Sequence, residues 1–261
     1  FAQPCRPSFV TKRELIDLRR PPAEIPKIIW MYWHSGRENA PEIVQICVAS
    51  WIQLNPEYRT VVVDSSNLSV YSDLQHSVPG WAQLSIQMQS DLIRLDLLSR
   101  YGGFWVDATL FCAIPLADWI PSSPHGGCIF SPATRGSDKL IASFFIASVR
   151  GGKFLQGWNR RTRRYFDSAP EAMSNRLLKR LSKALPFTKG SVGRILYTLR
   201  VTTNRWGAPY FILHYLASRM IVTTPTHWLI WRSAPKIASG RYSELVRSDV
   251  SVETFQTLLA Q

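Results

Sequence analysis

The stretch Ser90–Phe111, SDLIRLDLLSRYGGFWVDATLF, holds the change of periodicity that decides the fold. Upstream, Trp81 to Arg100 carries a helical pattern, with Leu92, Leu95 and Leu98 forming an apolar stripe. Gly102 and Gly103 end it, suiting a left-handed helix cap and a tight helix-to-strand turn. Phe104 to Val106 then reads as a short buried strand that delivers Asp107 at its carboxyl end. In open α/β sheets ligands lie at the carboxyl ends of strands, so a carboxylate there is placed for chemistry. Asp91 and Arg94 stand at i and i+3 and share a helix face away from the leucines. Spacing alone describes equally well a surface ion pair worth about 0–1 kcal/mol. The adjoining glycines and strand-end Asp107 point instead to a crevice holding all three.

Toward the N-terminus, Ile28–Trp33 reads as a buried strand, followed by the polar turn HSGREN and by Pro41 at a first helical position. From Glu42 to Leu54, apolar residues recur at helical spacing, and the β-branched run Tyr58–Val63 ends at Asp64. Strand, helix and strand within about forty residues predict α/β architecture with a parallel, Rossmann-like nucleotide-binding half. Residues 1–25, rich in Pro and charge, read as a lead-in or stalk, and an opening on Phe1 rather than Met points to a removed segment. Toward the C-terminus, Leu140–Val149 reads as a strand or a buried helix. Gly157–Phe166 and Glu171–Leu185 read as basic helices, and Tyr210–Met220 as an amphipathic one.

With 46% hydrophobic and 19% charged residues among 261, the composition is that of a folding chain. Its formal charge of +13 is regional: residues 151–205 hold thirteen Lys or Arg against Asp167 and Glu171, a net of +11. Such a block is either a solvated helical face or a contact for an anionic membrane or acidic polymer. No zinc-finger spacing, aromatic RNA-binding motif or basic-heptad pattern accompanies it, so nucleic acid is not expected as a partner. Cys5, Cys47, Cys112 and Cys128 form no C-x-x-C pair and read mostly as buried thiols, with one or two disulfides as the alternative. No apolar run is long enough to span a bilayer. Nucleophile-elbow, phosphate-loop, dinucleotide and zinc-protease motifs are all missing from the sequence.

The segments IPKIIWMYWHSG (25–36), SWIQLNPEY (50–58), VVVD (61–64) and above all Ser90–Phe111 closely resemble, in order, the signature of the capsular polysaccharide synthesis glycosyltransferases. These are relatives of glycosyltransferase family 32, yeast-type mannosyltransferases and clostridial glucosylating toxins. The resemblance covers residues 25–115, extends to PYFILHYL (209–216), and is loose across 116–205. It implies a GT-A type single domain over 26–261, with a donor-binding half at 26–115 and an acceptor-side, basic helical region at 116–261. It further implies that Asp91 and Arg94 bind the donor sugar and that Asp107 is the first Asp of an Asp-x-Asp motif supporting a divalent cation, Mn²⁺ or Mg²⁺. Trp33 would stack on the base, and Gly103 and Thr109 complete the donor-binding set. Thr109 stands where many relatives have the second Asp, and a hydroxyl is a weaker ligand for a hard cation.

The implied activity is transfer of a hexose from a nucleotide diphosphate sugar, a UDP-sugar foremost, to a glycan or lipid-linked hydroxyl, with retention. The setting is polysaccharide or surface-glycan synthesis, on the cytoplasmic face of a bacterial membrane or in a Golgi lumen. The alternative is a non-catalytic nucleotide- or glycan-binding protein with a degenerate Asp-x-Asp motif. His34 reads as a solvated turn residue within reach of a phosphate, and His214 as a core or family position. His227 and Trp228 fall where relatives close a C-terminal loop over the donor.

Overall fold

Strands β1 (Ile28–Tyr32) and β3 (Gly103–Val106) are apolar runs, as strands covered on both faces must be, and the edge strand β2 (Arg59–Val63) is apolar over its last three residues. In the computed structural model, which describes residues 24–120, 127–131, 140–167 and 211–235, they join β4 (Cys128–Ser131) and β5 (Ala142–Ser148) in one sheet of order β2-β1-β3-β5-β4. β1 pairs in parallel with both β2 and β3, whereas β5 is antiparallel to β3 and β4. The expected α/β class is therefore the observed one. Leu140–Val149 resolves as strand β5.

Alternating side chains feed two cores. Trp30, Tyr32, Val63, Trp105, Phe130 and Ile146 enter one, Ile29, Met31, Phe104, Val106, Ile129 and Phe145 the other. Helix α1 (Glu42–Leu54) covers the second face together with the segment after β3, through Val44, Val48 and Trp51. The first face carries α4 (Ile86–Tyr101), α5 (Lys153–Asp167), α6 (Ile212–Thr223) and α7 (Pro225–Ser233). Two single turns, α2 (Leu68–Tyr71) and α3 (Leu74–Ser77), link β2 to α4. Within the described residues this is a three-layer arrangement.

Several boundaries differ from the sequence reading for local reasons. Pro41 is the N-cap of α1, one position before its first helical residue. The Trp81–Arg100 pattern is split: Trp81–Gln83 is a separate 3-10 turn, Leu84 is extended, and the helix restarts behind Ser85, whose Oγ accepts from Met88 N at 3.3 Å. Helix α4 is not amphipathic either, since every residue from Leu92 to Ser99 is buried. Gly102 has φ +70° with ψ −159°, a region open essentially to glycine alone and different from the left-handed cap expected. A Cβ there would lie 2.6 Å from Arg150 N. Expectations for residues 1–23, Cys5, Glu171–Leu185 and most of the basic block fall outside the described residues, while Cys47, Cys112 and Cys128 are the buried thiols expected.

Candidate active site

The chain passes from β1 outward to β2 and then back across β1 to β3, so the carboxyl ends of β1 and β3 flank the point where strand order reverses. A crevice forms at such a point because the two connections leave on opposite sides. Trp33 and His34 follow β1 there, and Asp107 follows β3. The segment beyond Asp107 is fixed to α1: Trp51 Nε1 donates to Leu110 O at 2.8 Å, Cys112 N to Ser50 Oγ at 2.9 Å, and Leu116 N to Asn55 Oδ1 at 2.7 Å.

Asp91, Arg94 and Asp107 meet in one cluster, as the sequence predicted. Arg94 Nη2 donates to Asp107 Oδ1 at 2.9 Å, and Nη1 lies 3.0 Å from Asp91 Oδ1 without hydrogen-bond alignment. The pair is no surface ion pair, for the Arg94 side chain is only 5% exposed. The Trp105 ring stacks under the guanidinium, centroid to Cζ 4.9 Å, and its Nε1 also donates to Asp107 Oδ1, at 2.8 Å. Asp107 thus spends one oxygen on two protein donors. Its side chain is one-third exposed, and Oδ2 accepts no hydrogen bond among the described residues.

The electrostatics are uneven. Burial pushes the Asp91 carboxyl up to about 6, while Arg94 pulls it down and Asp107 adds a smaller upward push. Arg94 itself keeps two donors, Nε and Nη1, buried with no hydrogen-bonded partner. A buried guanidinium with idle donors is unfavourable until oxygen atoms reach it. Paired with two carboxylates, it offers both acceptors and donors to a polyhydroxylated, anionic ligand.

Other predicted residues divide. Trp33 is half-buried just past β1, its backbone N–H bonded to Val63 O at 3.0 Å, and Thr109 is exposed two residues beyond Asp107. Gly103 does not join the cluster. It opens β3 at the far end, about 13 Å of strand from Asp107, and a Cβ there would lie 2.6 Å from Ile28 O, so its need is backbone packing. His227 and Trp228 lie on α7 within the helical layer rather than on a loop: His227 packs against Phe154 and Gly157 of α5. Burial, then Arg161, hold its imidazole down at about 4. His214 sits half-buried on α6 beside Phe211.

Tyr32, Gln89 and the Trp105 indole were not singled out from sequence. Each is buried, and apolar runs hide such residues among core positions; only their polar tips, as on any Tyr, Gln or Trp in a strand or helix near the site, could have flagged them.

Comparison with known proteins adds the following. A family described as capsular polysaccharide synthesis protein matches residues 11–178, more than half of the chain. The O-glycosyltransferase braB of Annulohypoxylon truncatum is 29% identical over 168 residues, 58% of this chain and 40% of its own length. The glycosyltransferase afumC of Aspergillus fumigatus is 28% identical over 160 residues, 54% of this chain and 41% of its own length. The chain thus spans about 40% of the length of these curated relatives. Among solved structures, the PaToxG glycosyltransferase superposes with a TM-score of 0.45 at 16% identity, over 85% of this chain and 93% of that one.

Proposed function

The chain belongs to the capsular polysaccharide synthesis protein family, and from that premise we propose that it is a glycosyltransferase of GT-A type, moving a hexose from a nucleotide diphosphate sugar to a hydroxyl group. The observation that carries the reading is the Asp91–Arg94–Asp107 cluster at the carboxyl end of β3, a buried guanidinium held between two carboxylates. The carboxylates accept from sugar hydroxyls, and Arg94 orients them. The relative braB, named an O-glycosyltransferase, supports transfer onto oxygen, and afumC, named a glycosyltransferase, supports glycosyl transfer.

In this reading Asp91 and Arg94 fix the sugar, Trp33 stacks on the base, and Asp107 faces the ribose and diphosphate. The bond from the anomeric carbon to the diphosphate oxygen breaks. A new bond forms to the acceptor oxygen on the same face, and the departing phosphate oxygen takes the acceptor's proton. No strong protein base is then needed. A divalent cation, Mn²⁺ or Mg²⁺, fits as an ion arriving with the diphosphate: Asp107 Oδ2 and the exposed Thr109 are open to it, and among the described residues no group of three or more His, Cys, Asp or Glu forms a protein cage. When bound, it supplies charge neutralisation at the leaving group. The acceptor is a glycan or lipid-linked glycan, and the basic face of α5 docks the protein peripherally on an anionic membrane, on the cytoplasmic side in a bacterium.

The test is donor hydrolysis by the purified chain over UDP-, GDP- and CMP-sugars, with Mn²⁺ or EDTA, beside Asp107→Ala. Cation-dependent release of one nucleotide, reduced at least ~100-fold in the variant, is the expected result. Nucleotide binding without turnover across a broad acceptor panel would favour the non-catalytic reading, to which Thr109 contributes.

A further inference from the structure

His34 is the side chain at this crevice that the proposed roles leave unused. It follows Trp33 at the carboxyl end of β1, is half-buried, and its backbone carbonyl accepts from Ser65 N at 3.1 Å, which ties the segment after β1 to the segment after β2. Its Nδ1 lies 2.9 Å from the Tyr32 hydroxyl, and the same hydroxyl lies 3.5 Å from Gln89 Oε1 on α4. Gln89 is oriented by its own amide, whose Nε2 donates to Trp81 O at 3.1 Å and to Leu84 O at 3.3 Å. Two residues beyond Gln89 is Asp91. By the β1–β3 register, with Trp30 opposite Trp105, Tyr32 lies level with Asp107.

A phenol has one proton and two candidate acceptors here. Burial, then the Asp64 charge, push the Tyr32 hydroxyl up to about 12, so it stays protonated at neutral pH and donates. The imidazole nitrogen is the nearer and the more basic acceptor, and 3.5 Å is the outer limit of a hydrogen bond. A neutral imidazole that accepts this proton at Nδ1 carries its own hydrogen on Nε2, whereas one that donates from Nδ1 leaves the phenol proton to Gln89 Oε1. Nε2 makes no hydrogen bond among the described residues. The neighbouring carboxylate, Asp64, is spoken for: its oxygens accept from Ser66 N, Ser66 Oγ, Asn67 N and Asn67 Nδ2 within the turn after β2.

We propose that His34 is a donor-binding residue for the nucleotide end of the substrate, its Nε2–H donating to an oxygen of a nucleoside diphosphate, with Tyr32 the positioning residue that fixes this tautomer. The proposal rests on the nucleotide-sugar reading above and adds a specificity contact to it. One hydroxyl thus links the nucleotide side of the crevice to the helix that carries the sugar-binding pair.

The test has two arms. In the first, ¹⁵N imidazole shifts of the ligand-free chain should show His34 protonated at Nε2 at neutral pH, and Tyr32→Phe should shift it toward a tautomeric mixture. A wild-type shift reporting Nδ1–H overturns the proposal whatever the chain's activity. In the second, calorimetric titration with UDP, GDP and CDP should show His34→Ala weaker by roughly tenfold for the nucleotide that wild type prefers. His34→Gln, whose Nε2 amide also donates, should recover most of that loss. The penalty persisting with uridine places the contact on base or ribose; its disappearance places it on phosphate. Equal affinity of wild type and His34→Ala overturns the contact while leaving the nucleotide-sugar reading intact, whereas a wild type blind to all three diphosphates overturns both.

Discussion

Asp91 is held in a state between acid and base by burial and two charged neighbours, burial lifting its carboxyl from 3.8 to about 6 against the pull of Arg94. Between those two values the folded chain keeps a proton that the unfolded chain has released, so this residue makes the protein less stable as pH rises from about 4 to about 6. Asp91→Asn lacks that dependence. The stability difference between variant and wild type should therefore shift in the variant's favour across this window, by on the order of 2–3 kcal/mol in denaturant titrations. Binding runs the other way: as pH falls through 6 the carboxylate becomes a poorer acceptor for hydroxyls. The donor KM should rise below pH 6 in wild type and stay flat, though high, in Asp91→Asn. At this scale the charged residues were legible because two carboxylates and an arginine beside a strand end have few structural uses. The degree of burial was not, since the Trp105 ring covers the Arg94 guanidinium only once α4 packs beside β3.

Helix α4 illustrates what elements add to residues. Its cap, Ser85, and its terminal glycines are written locally, and the helix-to-strand switch was read from them. Its surroundings are not written locally. Asp96, 3% exposed, accepts from Ser72 Oγ at 2.7 Å, Asn159 Nδ2 at 3.3 Å and Arg100 Nε at 2.8 Å, so polar residues that looked solvent-facing are satisfied by α5 and by the turn after α2. That is why the apolar stripe of leucines misstated the helix as one-sided. The glycine pair gives a sharp test. Gly102→Ala combines a positive φ with a Cβ 2.6 Å from Arg150 N and 2.8 Å from Ser148 O, both backbone atoms that cannot yield cheaply. It should cost roughly 3 kcal/mol or more in denaturant unfolding. Gly80→Ala, with φ +67° but only Gln83 Oε1 at 3.4 Å, should cost about 1 kcal/mol.

For the whole molecule, the parallel half was legible because strand, helix and strand follow one another in sequence. The antiparallel β5-β4 addition was not, because its place beside β3 depends on pairing between residues some forty positions apart. The regional charge resolves, where it is described, onto α5: Arg160 and Arg164 are exposed, while Arg161 reaches Thr224 Oγ1 at 3.0 Å and Arg163 reaches Ser77 Oγ at 2.9 Å. Charge reversal at Arg160 and Arg164 alone leaves those two contacts in place. It should abolish sedimentation with vesicles of 30 mol% anionic lipid in low salt; unchanged sedimentation would remove the membrane role. The sequence separations within the site carry a last consequence, for the order in which it comes together. Arg94 and Asp107 are thirteen residues apart, Tyr32 and Gln89 fifty-seven. Closing the longer loop costs about 1.3 kcal/mol more chain entropy. The charged centre is therefore the cheaper half to assemble, and the contact of Tyr32 with Gln89 is the half whose closure reports that α4 has docked on β1.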